Sequence, residues 1–353
     1  MVMAGGTGGH VFPALAVAQE LRRRGCEVSW LGTPQSFEAR IVPQYGFPMD
    51  WVDAYRLRGQ GLAGKLLAPF RLLRAMLQSW QVLRRRQPQV VLGMGGFVTG
   101  PGGLVSRMQR RPLVVHEQNA IPGLTNQWLA RIATRVLEAF PGSFAPARQA
   151  QVTGNPVRHE IASLPSPRER CAARQGPCRL LVLGGSLGAA ALNEKVPEAL
   201  SLLAADERPA VRHQAGRDKA DATRRTYAAA AVEAEVSDFL HDMAEAYGWA
   251  DLVVCRAGAL TVCELAAAGV GAVLIPFPHA VDDHQTRNAR YLVDAGAGHL
   301  LQQSALTAAG LADLLRRLCN DRAGLLTMAE AARELARPDA AVRVADVCIE
   351  VAA

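Results

Sequence analysis

Met1-Val2-Met3-Ala4-Gly5-Gly6-Thr7-Gly8-Gly9-His10 runs a short apolar strand into a glycine-rich turn and then a helix. Leu180-Leu181-Val182-Leu183-Gly184-Gly185-Ser186-Leu187-Gly188 repeats the pattern in mid-chain. Glycines at such a turn let the backbone approach a ligand, and the following helix presents unpaired N–H groups and a positive dipole end. That combination holds anions, diphosphates in particular, without a metal. Two such turns predict an α/β chain of two Rossmann-like, doubly wound parallel-sheet domains facing each other across a cleft.

The rest of the chain fits this reading. Strands are predicted at Met1–Ala4, Glu27–Leu31, Val90–Leu92, Leu113–His116, Leu180–Leu183, Leu252–Cys255 and Ala272–Ile275. Amphipathic helices are predicted at Ala14–Arg24, Leu66–Arg86, Leu124–Ala133, Leu192–Leu203 and Thr261–Ala268. Continuous apolar strands separated by helices indicate a parallel sheet covered on both faces, with ligands beyond the carboxyl ends of the strands. The boundary is expected in Val152–Pro167, where Gly154-Asn155-Pro156 and Leu164-Pro165-Ser166-Pro167 interrupt the pattern. This gives domains 1–157 and 158–336, with a last helix near 337–353 returning to the first.

The length of 353 residues suits two domains, and a chain that is 50% hydrophobic and 20% charged has a soluble globular balance. No apolar run reaches the roughly 18 residues that span a bilayer, and no signal peptide precedes the first turn, so a cytoplasmic location is expected. The net charge of +7 points to an anionic partner: a nucleic acid, a phospholipid surface or a phosphorylated substrate. No helix-turn-helix or RNA-binding aromatic signature is present, which argues against nucleic acid. The seven cysteines contain no C-x-x-C pair and read as small buried hydrophobes.

The first turn is not a dinucleotide fingerprint. Counting from Gly6 and Gly8, the third glycine position holds Val11, and Trp30-Leu31-Gly32-Thr33 lacks an acidic residue for a ribose diol. No Walker lysine follows any glycine run. His10 at the helix start is a candidate general base, since the dipole there disfavours its protonated form; a plain polar cap is the alternative. In the second half, Arg256-Ala257-Gly258-Ala259-Leu260-Thr261-Val262-Cys263-Glu264 repeats the strand–turn–helix pattern. There Glu264 could accept two hydrogen bonds from a ribose diol, or serve as an N-terminal acid of the helix. The loop with His279, Asp282, Asp283 and His284 reads better as a sugar-binding loop than as a metal site.

Taken in order, these pieces resemble the MurG family, the bacterial N-acetylglucosaminyltransferases that complete the lipid-linked disaccharide of peptidoglycan. They are Gly5-Gly6-Thr7-Gly8-Gly9-His10-Val11-Phe12-Pro13, Gly93-Met94-Gly95-Gly96-Phe97-Val98-Thr99-Gly100-Pro101, His116-Glu117-Gln118-Asn119, Gly154-Asn155-Pro156-Val157-Arg158, Gly184-Gly185-Ser186, Arg256 to Thr261 and Asp283-His284-Gln285. The resemblance spans almost the whole chain. It implies the GT-B glycosyltransferase fold, with the acceptor on the first domain and the UDP-sugar donor on the second. Carried over residue by residue, Arg158 and Ser186 would meet the UDP diphosphate or its surroundings, Leu240 the uracil edge and Glu264 the ribose. Ala259, Leu260 and Thr261 would line the donor phosphates and sugar, with Val262 and Cys263 in the same donor-binding stretch. Asn119 and Gln285 would read the N-acetylglucosamine hydroxyls, and His284 would belong to the same UDP-N-acetylglucosamine site. Thr7, Gly8 and Gly9 would form the loop near the transfer point, and His10 would be the base.

The implied reaction transfers N-acetylglucosamine with inversion from UDP-N-acetylglucosamine to the 4-hydroxyl of a polyprenyl-linked muramoyl-pentapeptide (lipid I), giving lipid II. It calls for no cofactor and no metal. The alternatives are another GT-B enzyme, such as a UDP-N-acetylglucosamine 2-epimerase or a different lipid glycosyltransferase, or a membrane scaffold in cell-wall assembly. The implied location is peripheral, on the cytoplasmic face of the inner membrane, among anionic lipids and other cell-wall synthesis proteins. Leu62, Leu66, Phe70, Leu73, Leu77 and Trp80 share one face of a helix ending in Arg84, Arg85 and Arg86, which reads either as an interfacial helix or as an ordinary core helix. Pro69 is expected to confine the helix to the stretch after it.

Overall fold

The computed structural model describes residues 1–54, 62–172, 174–185 and 187–353, with side chains for all of these except 62–66 and 281. The chain divides into two compact units, residues 1–158 with 337–353, and residues 159–336. Each is a wholly parallel sheet with helices between its strands.

The first sheet contains β1 (Val2–Met3), β2 (Trp30–Gly32), β3 (Met49–Trp51), β4 (Val91–Gly93), β5 (Leu113–Glu117), β6 (Arg135–Glu138) and β7 (Gln151–Val152), in the order β3-β2-β1-β4-β5-β6-β7. The second contains β8 (Arg179–Leu183), β9 (Ala210–Gln214), β10 (Glu235–Ser237), β11 (Leu252–Cys255), β12 (Gly271–Leu274) and β13 (Gly298–Leu300), in the order β10-β9-β8-β11-β12-β13. In both, the order reverses beside the strand that feeds the glycine turn, β1 or β8. Such a switch point opens a crevice at the carboxyl ends of the strands.

The central strands are apolar on both faces because helices cover both, and β11, Leu252-Val253-Val254-Cys255, is buried at every position. The strands not anticipated are β3, β6, β7, β9, β10 and β13. Four of these are sheet edges, where short, half-polar segments suffice. In β6 and β9 the buried polar residues Glu138 and His213 break the apolar run. Each is satisfied internally: Glu138 accepts from the Gly142 and Phe144 N–H groups, and His213 bonds to the Tyr227 hydroxyl and the Asn193 amide oxygen.

The helix α1 (Gly8–Arg23) begins well before the predicted Ala14 and carries Pro13 inside it. The final helix, Ala340–Ala352, packs Val344, Ala345, Val347 and Cys348 into one core cluster with Val11, Ala14, Leu15 and Ala18 of α1. The Leu62–Arg86 helix runs through Pro69, which is exposed; losing one N–H there does not end it. Ala75, Ser79, Val82 and Leu83 form its core face. Phe70, Leu73 and Leu77 are 71%, 55% and 57% exposed, so the apolar stripe anticipated from the sequence is not the core face; the Leu66 side chain lies outside the description. Trp80 is also exposed. The arginines at the end of this helix differ in their surroundings. Arg85 and Arg86 both pair with the buried Asp50, at 2.5 and 2.8 Å, while Arg84 is exposed. Among the cysteines, Cys178, Cys255, Cys319 and Cys348 are buried as expected, whereas Cys26, Cys171 and Cys263 are partly exposed.

Candidate active site

In the first unit the turns after β1 and β4 lie against each other at the switch point, and the Gly5 N–H donates to the Gly95 carbonyl at 3.2 Å. The contact depends on missing side chains. Gly95 and Gly96 hold φ of +92° and +91°; a Cβ on Gly95 would stand 2.7 Å from His10 Nδ1, and one on Gly96 2.4 Å from the Gly5 oxygen. The fully buried Glu38 pins the first turn from the other side, accepting from the Gly6 N–H at 3.0 Å and the Thr33 N–H at 3.1 Å.

Thr7 caps α1 in an extended conformation without a side-chain bond, Gly8 and Gly9 open the helix, and His10 follows as its third residue, half-buried. His10 Nδ1 lies 2.9 Å from Gln118 Oε1. Gln118 Nε2 lies 3.1 Å from His116 Nδ1 and 3.2 Å from the His116 carbonyl oxygen. His116 Nε2 lies 2.9 Å from the Gly154 carbonyl. Complete burial pushes the His116 pKa down to about 4, so this ring is neutral near pH 7.

Asn119 follows at the end of β5. Its backbone N–H and its Nδ2 both donate to Glu117 Oε1, at 2.9 and 3.1 Å, and the other Glu117 oxygen accepts from the Gly123 N–H and Asn126 Nδ2. A buried carboxylate thus organises the loop that presents Asn119. Arg158 belongs to this first unit, where its guanidinium stands 5.4 Å from the Phe12 ring.

In the second unit the turn after β8 is closed by bonds from the Gly184 N–H to the Gln214 carbonyl and from the Gly188 N–H to the Gly185 carbonyl. Ser186 lies outside the described residues. After β11, Gly258 caps the helix Ala259–Ala268, so the N–H groups of Ala259, Leu260 and Thr261 form its first turn. Val262 is fully buried and Cys263 half-buried. Glu264 is buried one turn in and accepts from the Tyr247 hydroxyl at 3.1 Å. Arg256 braces the turn through the Ile275 and Pro276 carbonyls and Gln303 Oε1. Its burial lowers its pKa from the ordinary arginine value.

Leu240 is half-buried in the loop after β10. His284 opens the helix His284–Val293, and the Gln285 amide oxygen accepts from the Phe277 N–H at 2.9 Å. Asn288 Nδ2 donates to the Ala257 carbonyl, joining that helix to the β11 turn. Among the described residues, no three His, Cys, Asp or Glu side chains are grouped so as to hold a metal ion.

The structure therefore gathers Thr7 to His10 and Asn119 at the carboxyl end of the first sheet, and Ala259 to Glu264 beside the β12 loop at that of the second. The sequence reading assigned no part to Glu38 or Tyr247, and quoted His116, Glu117 and Gln118 without roles. His116, Glu117 and Gln118 end a buried apolar strand in polar residues, which is the signal for these three; Glu38 and Tyr247 reach the site from separate helices.

Residues 1–138 match the glycosyltransferase family 28 N-terminal domain and residues 179–344 the family 28 C-terminal domain. Fold and matches together define the class: a two-domain GT-B glycosyltransferase. Two curated proteins, from Marinobacter nauticus and Nitrosococcus oceani, are 55% and 57% identical to the chain. Each match covers all of this chain and 97% or 98% of the relative, and both relatives are named UDP-N-acetylglucosamine–N-acetylmuramyl-(pentapeptide) pyrophosphoryl-undecaprenol N-acetylglucosamine transferase. The crystal structure of Acinetobacter baumannii MurG matches at TM-score 0.85 and 43% identity, over 99% of both chains. The chain belongs to the MurG family. A Listeria monocytogenes structure described as a UDP-N-acetylglucosamine 2-epimerase, at TM-score 0.67 and 17% identity, shares the fold alone.

Proposed function

We propose that the chain transfers N-acetylglucosamine, with inversion, from UDP-N-acetylglucosamine to the 4-hydroxyl of the lipid-linked muramoyl-pentapeptide, releasing UDP and completing lipid II. The single observation that carries this reading is the full-length match, at 55–57% identity, to transferases named for that donor and acceptor. The same match favours it over the 2-epimerase alternative, whose likeness stops at the fold.

Within this reaction His10 takes the proton of the attacking hydroxyl, a role worth roughly 10²–10⁴-fold. Its seat on α1, held through Nδ1, supports the assignment. The N–H groups of Ala259 to Thr261 and the turn Gly184–Gly188 stabilise the charge that develops on the departing diphosphate, and Arg158 adds a cation. Glu264 takes the ribose diol, with Tyr247 orienting the carboxylate. Leu240 offers its backbone to the uracil, and Asn119, His284 and Gln285 meet the sugar.

No helix among the described residues is long and apolar enough to cross a membrane. We propose instead that the exposed face of the Leu62–Arg86 helix lies on the anionic inner membrane, where the acceptor's polyprenyl chain is embedded. The exposure of Phe70, Leu73 and Leu77 supports this docking.

The deciding experiment measures UDP release from UDP-N-acetylglucosamine with and without the polyprenyl-diphospho-muramoyl-pentapeptide, in EDTA. Release that needs the acceptor and yields a disaccharide-lipid is the expected result. Donor binding without transfer to that acceptor would reassign the reaction.

A further inference from the structure

We propose that Gln118 is a positioning residue that fixes which nitrogen of His10 carries the proton, so that Nδ1 is protonated and Nε2 is the bare, basic nitrogen. This rests on the reading of His10 as the base. The deciding contact is remote from His10: Gln118 Nε2 stands 3.2 Å from the His116 backbone carbonyl. A carbonyl oxygen only accepts, so the amide NH₂ must face it and the amide oxygen must face His10. An amide oxygen also only accepts, so His10 Nδ1, at 2.9 Å, must be the donor. A neutral imidazole has one N–H, and Nε2 is therefore left with its lone pair.

A second constraint acts in the same sense. His116 Nε2 faces the Gly154 carbonyl at 2.9 Å and must donate to it, so His116 Nδ1 carries a lone pair and accepts the Gln118 NH₂ at 3.1 Å. Burial keeps His116 in that neutral form, with its pKa near 4. From the Gly154 carbonyl to His10 every hydrogen bond thus has one direction, and no member can turn without setting two acceptors or two donors face to face. Gly95 leaves the space that the chain needs at His10 Nδ1, since a Cβ there would stand 2.7 Å from it. During transfer the hydroxyl proton lands on Nε2, its electron pair forms the new glycosidic bond, and the C1–O bond pair leaves with UDP. The Nδ1–H bond to Gln118 persists throughout, so the imidazolium forms without rearrangement.

The test is the tautomer of His10, read by NMR on ¹⁵N-histidine-labelled full-length protein above the histidine titration range, with its signals assigned by their loss in His10→Gln. The expected result is a proton on Nδ1 in the wild type. In Gln118→Leu the population moves toward the Nε2–H form that free imidazole prefers, and kcat falls about 10²-fold while KM for UDP-N-acetylglucosamine stays within about twofold. A wild-type proton on Nε2, or a His10 tautomer unchanged in Gln118→Leu, would overturn the proposal. If Gln118→Leu does not fold, the wild-type spectrum alone decides. Near-normal turnover in His10→Ala with the Nδ1–H form intact in the wild type would remove the base assignment while leaving the tautomer assignment standing.

Discussion

At the scale of single residues, the first unit's site is built from absences as much as from side chains. Gly96 combines a left-handed φ of +91° with backbone contact to Gly5, so Gly96→Ala adds strain and forces the two turns apart. A cost of about 2 kcal/mol or more is expected. For a unit of this size that lowers Tm by about 4–8 °C, measurable by calorimetry. His10→Ala should leave Tm near that of the wild type, since the ring is only half-buried, and should lower kcat about 10²–10⁴-fold. Turnover within about threefold of the wild type would exclude His10 as the base. His10 and Glu264 stand out in the sequence because a glycine turn before each marks a helix start. Glu38 and Tyr247 do not, because each reaches its partner, the Gly6 N–H and Glu264 respectively, from a separate element. No local pattern records such a meeting.

At the scale of elements, the Leu62–Arg86 helix shows how periodicity can be read correctly and still leave the burial open. The spacing of Phe70, Leu73, Leu77 and Trp80 gives one apolar face, but the sheet is covered by a different one, Ala75, Ser79, Val82 and Leu83. Small residues on the buried side carry little hydrophobic signal, so the exposed stripe dominates the pattern. Replacing Phe70, Leu73 and Leu77 together by serine should weaken co-sedimentation with anionic vesicles by on the order of 100-fold, at about 1 kcal/mol lost per side chain. Tm should change little, because none of the three belongs to the core; full retention of vesicle binding would remove the docking role. Neutralising Arg85 and Arg86 is a poorer probe of lipid contact, since it also strips the buried Asp50 of both its ion pairs. The strands divide in the same way: central apolar ones such as β11 are evident from composition, whereas β9 is hidden by the buried polar His213 and Gln214, of which His213 is satisfied by Tyr227 and Asn193 from other elements.

At the scale of the whole molecule, each unit contains one fully enclosed histidine, His116 in the first and His213 in the second. Burial lowers their pKa values from 6.5 to about 4 and about 3. The folded chain holds both neutral, while the unfolded chain takes up a proton at each below pH 6.5. Stability is therefore full above pH 6.5 and declines as the pH falls toward 4. The slope reaches about 1.4 kcal/mol per pH unit for each histidine. Denaturant unfolding between pH 7 and 4.5 should show this loss, and His213→Gln should flatten it for the second unit; a midpoint independent of pH would contradict it. The Ala340–Ala352 helix has a consequence of another kind. Its Val344, Ala345, Val347 and Cys348 complete the core around α1, although the whole second unit separates them in the chain. During synthesis the second unit can therefore leave the ribosome and close its own core first. The first unit waits for residues 340–352, which follow the whole second unit in the chain, with its α1 face still bare, so the unit that starts earlier in the chain is completed later.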